Sequence, residues 1–132
     1  MKIVIAPDSY KESLSALEVA TSIRTGFQHV YPSAEYCLLP LADGGEGTVD
    51  VLLYGLNGVK KTSEVTGPNG SPTVAEWAVF DGGKTALIEI AQASGLDKIA
   101  ASQRNPMQAT TFGTGELILE ALEAGVSKII LG

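Results

Sequence analysis

Short apolar runs alternate along this chain with stretches in which apolar residues recur at helical spacing. Lys2 to Ala6 is continuous and β-branched, the pattern of a strand buried on both faces. Ser15 and Glu18 then form a capping box. Val19, Ile23, Phe27 and Val30 recur as the buried stripe of a helix that Tyr31-Pro32 ends. Glu35 to Leu41 predicts a second strand. Glu46 to Tyr54 predicts a second helix, with Val49, Leu52 and Leu53 inward and Gly55 near its end.

The rhythm changes after Gly58. Residues 60–66, 73–80 and 85–91 predict three strands, joined by Gly67-Pro68-Asn69-Gly70-Ser71-Pro72 and Asp81-Gly82-Gly83-Lys84. Such tight turns imply antiparallel pairing, and Trp77, alternating with Val79, is expected in the core. Residues 96–109 predict an irregular or partly helical connection. Thr110 to Ala124 predicts a helix buried through Leu117, Ala121 and Leu122, and Lys128 to Leu131 another buried strand. The fold class is α/β: a mostly parallel sheet with flanking helices and an inserted antiparallel β segment. Three parts are expected: residues 1–59, an α/β part; residues 60–95, a β-meander or the start of a second subdomain; and residues 96–132, a return to the α/β part. An apolar strand ending at Gly132 normally feeds another crossover helix. The chain is therefore expected to be an incomplete piece of a longer protein.

Composition narrows the function. With 132 residues, 45% apolar and 18% charged, the chain can fold as a globular domain. A net charge of −6 and no basic stripe longer than Lys60-Lys61 argue against nucleic acid as a partner. The single Cys37, expected as a small buried hydrophobe, forms no internal disulfide and suits a reducing cytoplasm. No apolar run is long enough for a membrane span. One histidine, His29, and one cysteine leave no zinc set and no histidine near the polar loops.

Candidate chemistry lies just beyond the strands, where open α/β sheets bind ligands. Asp8, Lys11 and Ser13 follow the first strand. A carboxylate there suits Mg²⁺ or a substrate hydroxyl, and a lysine suits phosphate. A turn with a solvated lysine and a capping serine would look the same. Asp43-Gly44-Gly45-Glu46-Gly47-Thr48 is the sharper signal, because three glycines in four positions exceed what a plain turn needs. Free N–H groups leading into a helix make an anion site. Asp43 and Glu46 could hold a divalent ion against the anion. Gly113-Thr114-Gly115 is a third entry into a helix, equally a capped turn or a phosphate contact. Glu89 to Gly95, with Ser94, predicts a strand exit that could touch substrate.

These segments, in order, resemble the N-terminal part of bacterial glycerate kinases of the glycerate 2-kinase type: Ala6 to Leu14, Ala42 to Thr48, Glu89 to Leu96 and Gly113 to Ile118. The resemblance spans the chain, and the family is about three times longer. Glu12 stands where many members have glycine, and Phe112 where enterobacterial relatives often have arginine. The resemblance implies a two-domain architecture with a flavodoxin-like part. It also implies ATP- and Mg²⁺-dependent phosphorylation of D-glycerate to 2-phosphoglycerate, in the breakdown of glyoxylate and sugar acids. On this basis Asp8, Lys11 and Asp43 are the expected catalytic residues, with Asp43 and Asp8 toward the metal. Ser13, Gly44, Gly45, Glu46, Gly47, Thr48, Ser94, Gly113, Thr114 and Gly115 are expected to bind substrate or phosphate. A homo-oligomer is compatible with the sequence. The competing functions are a non-catalytic small-anion or nucleotide-binding module, or a piece of the kinase inactive by itself.

Overall fold

A computed structural model describes residues 1–10 and 13–132; Lys11 and Glu12 fall outside the described residues. The chain forms two compact units, Met1–Asp43 and Gly44–Gly132.

In the first unit, β1 (Lys2–Ile5) pairs in parallel with β2 (Glu35–Leu38), and α1 (Ala16–Val30) connects them. The capping box forms as expected. The Ser15 Oγ accepts the Glu18 N–H at 3.3 Å, and the Glu18 carboxylate accepts the Ser15 N–H at 2.8 Å. The regular strand β2 ends at Leu38, earlier than the hydrophobic run suggests. Parallel contact nevertheless continues: the Leu39 N–H donates to the Ile5 carbonyl and the Leu41 N–H to the Pro7 carbonyl at 2.9 Å.

The stripe expected along α1 is buried only at its start. Ala16, Val19 and Ala20 are buried, whereas Ile23 and Phe27 are exposed and Val30 is 66% exposed. Lengths explain this. A 15-residue helix is about 22 Å long, and four-residue strands span about 13 Å, so the sheet underlies only part of the helix. Nor is β1 buried on both faces: Val4 is 57% exposed, since α1 packs on a sheet of only two strands. Cys37 is half-buried rather than fully enclosed.

The second unit is built on a four-stranded sheet in the order β3 (Val59–Thr66), β4 (Pro72–Phe80), β5 (Thr85–Ile88), β6 (Lys128–Leu131). The first three strands are the expected antiparallel meander, and β6 adds to β5 in parallel. Residues 60–95 and 96–132 thus share one mixed sheet. The period of two along the strands builds a core on each face. Ala75, Trp77, Ala86 and Ile88 point to one face and pack with Ala93, Leu117 and Ala121 of α3 (Ile90–Ser94) and α4 (Phe112–Glu123). Ala78, Phe80 and Leu87 point to the other and pack with Val49 of α2 (Thr48–Gly55). Trp77 is fully buried, and its Nε1–H donates to the Ser63 Oγ at 2.9 Å. Lys60 joins α2 to the sheet through Asp50 at 2.7 Å and Glu76 at 2.8 Å, which raises its pKa, Asp50 contributing most.

Three expectations change here. The third meander strand stops at Ile88, and Ile90–Ser94 is a helix rather than a strand exit. Leu122 is exposed, so α4 buries Leu117 and Ala121 only. The outer strand β6 is largely exposed, because β5 alone flanks it among the described residues. Residues 96–109 contain two short 3₁₀ turns, Leu96–Lys98 and Ala101–Gln103.

Candidate functional site

Asp8 and Asp43 leave the first unit at the same end. The Leu41 N–H donates to the Pro7 carbonyl, and Asp8 lies one residue beyond that pair, Asp43 two. Both are exposed. The Asp8 Oδ1 accepts the Ser9 N–H at 2.6 Å. The chain then folds back on itself, with reciprocal backbone bonds between Tyr10 and Leu14 of 2.9 and 3.1 Å. Lys11, expected to bind phosphate or carboxylate, lies outside the described residues; Ser13, within this turn, is exposed.

The glycine turn opens the second unit. Gly44 has φ +105° and Gly47 φ +88°, in the left-handed region that favours glycine. Space around both is open, so their requirement is conformational rather than steric. Gly47 is the N-cap of α2, which is why the helix begins at Thr48 rather than Glu46. The Thr48 hydroxyl donates to the Gly45 carbonyl at 2.8 Å, and Glu46 is exposed.

The amino end of α2 already has an anionic partner. Gly47 carries no side chain to cap the helix. Instead the Glu89 carboxylate, at the end of β5, accepts the Gly47 N–H at 3.2 Å and the Val49 N–H at 2.5 Å. A buried carboxylate needs such partners, and the positive end of a helix dipole favours it. Glu89 is 1% exposed. One N–H group expected to meet a phosphate, that of Gly47, is therefore committed within the fold, together with that of Val49.

The remaining candidates are tied into the body of the second unit. The Ser94 and Thr114 hydroxyls lie 3.0 Å apart, linking α3 to α4. Gly113 sits against the Thr66 carbonyl so closely that a Cβ would collide with it. The Glu116 carboxylate accepts the Thr66 N–H at 2.6 Å. Gly115 faces open space at the start of α4. The sequence pattern singled out the segment beginning at Glu89 but not the capping role of that residue, whose partners are 40 and 42 positions away. The one available signal was an acidic residue at the end of an otherwise apolar strand.

Among the described residues, no three His, Cys, Asp or Glu side chains gather as a metal centre. The carboxylates of Asp8 and Asp43 are hard oxygen donors, and one or two of these suit Mg²⁺, which takes its other ligands from phosphate and water. Among the described residues no helix is long and apolar enough to cross a membrane.

Helices packed on both faces of a mixed sheet define an α/β fold. The chain belongs to the glycerate kinase family, whose sequence model matches residues 3–132. It is 54% identical over 132 residues to the glycerate 2-kinase of Escherichia coli K12, and equally to a glycerate kinase of Bacillus subtilis 168. Both alignments take in 100% of this chain and 35% of the relative. A crystal structure described as a glycerate kinase 2 from Salmonella typhimurium LT2 is 55% identical and superposes with a TM-score of 0.75. It is likewise covered over 35% of its length. The chain thus spans about a third of the length of the relatives it matches.

Proposed function

We propose that the protein carrying this chain phosphorylates D-glycerate with ATP, giving 2-phosphoglycerate. The observation that carries this is family membership over residues 3–132. The position of the new phosphate rests on the name of the E. coli relative, glycerate 2-kinase. The single cysteine fits a reaction in a reducing cytoplasm.

Phosphoryl transfer asks a protein mainly for positioning and charge stabilisation. Asp43 is assigned to orient the attacking glycerate hydroxyl and accept its proton as the new P–O bond forms and the bond from the γ-phosphorus to the bridging oxygen breaks, releasing ADP. Lys11 neutralises the glycerate carboxylate or the transferring phosphate. The backbone of the glycine turn is assigned to cradle phosphate, while the Gly47 and Val49 N–H groups serve Glu89. Ser13, Thr48, Ser94 and the Gly113–Gly115 entry to α4 stand as supporting contacts to substrate. Asp8 and Asp43 are the residues that would hold Mg²⁺, which when bound neutralises phosphate charge.

The test is ADP formation by the whole protein, with D-glycerate as acceptor and glycolate and lactate as controls. Turnover only with glycerate supports the assignment. ATP binding without glycerate-dependent turnover favours a non-catalytic nucleotide-binding protein instead.

A further inference from the structure

We infer that Glu89 is the positioning residue of the glycine turn, holding Gly44–Gly47 in its working conformation and barring phosphate from the amino end of α2. For its kinetic consequence this rests on the proposed glycerate phosphorylation; for its structural consequence it does not.

The turn has a difficulty that Glu89 resolves. A residue in the left-handed region is required at Gly47, so the position where Ser, Thr or Asp would cap α2 holds a glycine with no side chain. The first-turn N–H groups still need an acceptor. It comes from the sheet, with one carboxylate oxygen on Gly47 and the other on Val49. The backbone around Glu89 is fixed by β6. The Gly132 N–H donates to the Ile88 carbonyl at 3.0 Å, and the Ile90 N–H donates to the Gly132 carbonyl at 2.7 Å. Gly132 itself lies against the Gly44 carbonyl. The carboxyl ends of β5 and β6 therefore meet the turn at both its ends, Gly47 through a side chain and Gly44 through backbone packing.

Two consequences follow. The conformation of the turn is set by the sheet rather than by its own flexible sequence. And because the Glu89 side chain already occupies the Gly47 and Val49 donors, a substrate phosphate finds neither of them open.

Glu89→Gln tests this, because it keeps the side-chain shape while placing an N–H₂ group against an N–H donor. Two readouts are taken on the whole protein. Amide hydrogen exchange across residues 44–49 is expected to quicken by about tenfold, with β3 and β4 unchanged. The kcat for glycerate phosphorylation is expected to fall by about 10- to 100-fold, with KM for glycerate within about twofold. Unchanged exchange at Gly47 and Val49 in the folded variant overturns the inference. So does quickened exchange throughout the second unit, which would make Glu89 a general stabiliser. So does an unchanged kcat beside a loosened turn. If the unsubstituted protein does not phosphorylate glycerate, the proposed function fails, and the exchange experiment alone decides the role of Glu89. If Glu89→Gln does not fold, Glu89→Asp, which keeps the charge but withdraws it by one methylene, is read by the same criteria.

Discussion

Asp43 carries the heaviest functional assignment of any side chain here. It ends the first unit and is covalently continuous with a turn whose shape only glycine adopts easily at Gly44 and Gly47. Asp43→Asn keeps the shape but removes the basic oxygen. In the whole protein it is expected to lower kcat by about 100-fold or more with unchanged folding, measured by steady-state kinetics. Undiminished turnover would remove Asp43 from the mechanism. A structural counterpart is Ser63, whose hydroxyl is the acceptor for the buried Trp77 Nε1–H. Ser63→Ala leaves that donor unpaired and should lower stability by about 1–3 kcal/mol, read from urea unfolding followed by Trp77 fluorescence. That Trp77 is core was legible from its alternation with Val79. Its hydrogen bond was not, because Ser63 faces it only once β3 and β4 are paired.

The secondary-structure elements separate what is local in sequence from what is not. The α1 cap is local, and Ser15 and Glu18 announced it. The Ser15 hydroxyl, and next its N–H, hold the Glu18 carboxyl below its usual pKa. A carboxyl with a lowered folded-state pKa stabilises above its unfolded pKa, and that contribution is lost as pH falls through the folded value. Exchange of the first-turn amides of α1 should therefore show more local opening on acidification below the ordinary carboxylate range. Glu18→Gln should abolish that dependence. The entry to α4 shows the opposite case. Gly113 permits close contact with the Thr66 carbonyl, and Glu116 reaches the Thr66 N–H, partners about 50 positions away that no local pattern marks. Gly113→Ala should push α4 off β3 and lower stability by about 1–3 kcal/mol. Near-normal stability would show that the contact relaxes freely. In α1, helical periodicity marked a stripe longer than the sheet covers; periodicity reports which face is apolar, not how much of it meets a partner.

Across the whole chain, the order of strands and helices and the α/β class were readable because each element carries its own rhythm. The assembly of β6 beside β5 was not, since a parallel neighbour leaves no local mark in sequence. The same holds for Glu89, which draws α2, the glycine turn and the sheet together across 40 residues. Both features lie beside the turn that follows Asp43. Family membership over residues 3–132 is what supports the proposed phosphoryl transfer to glycerate. The most direct test is ³¹P NMR of the whole protein incubated with ATP, Mg²⁺ and D-glycerate. The expected result is loss of the ATP γ-phosphate signal and growth of a phosphomonoester coupled to the single proton on C2, which identifies 2-phosphoglycerate. A phosphomonoester coupled instead to the two protons on C3 would contradict the assigned position. A cleanly folded protein that leaves ATP and glycerate unchanged would contradict the kinase assignment itself.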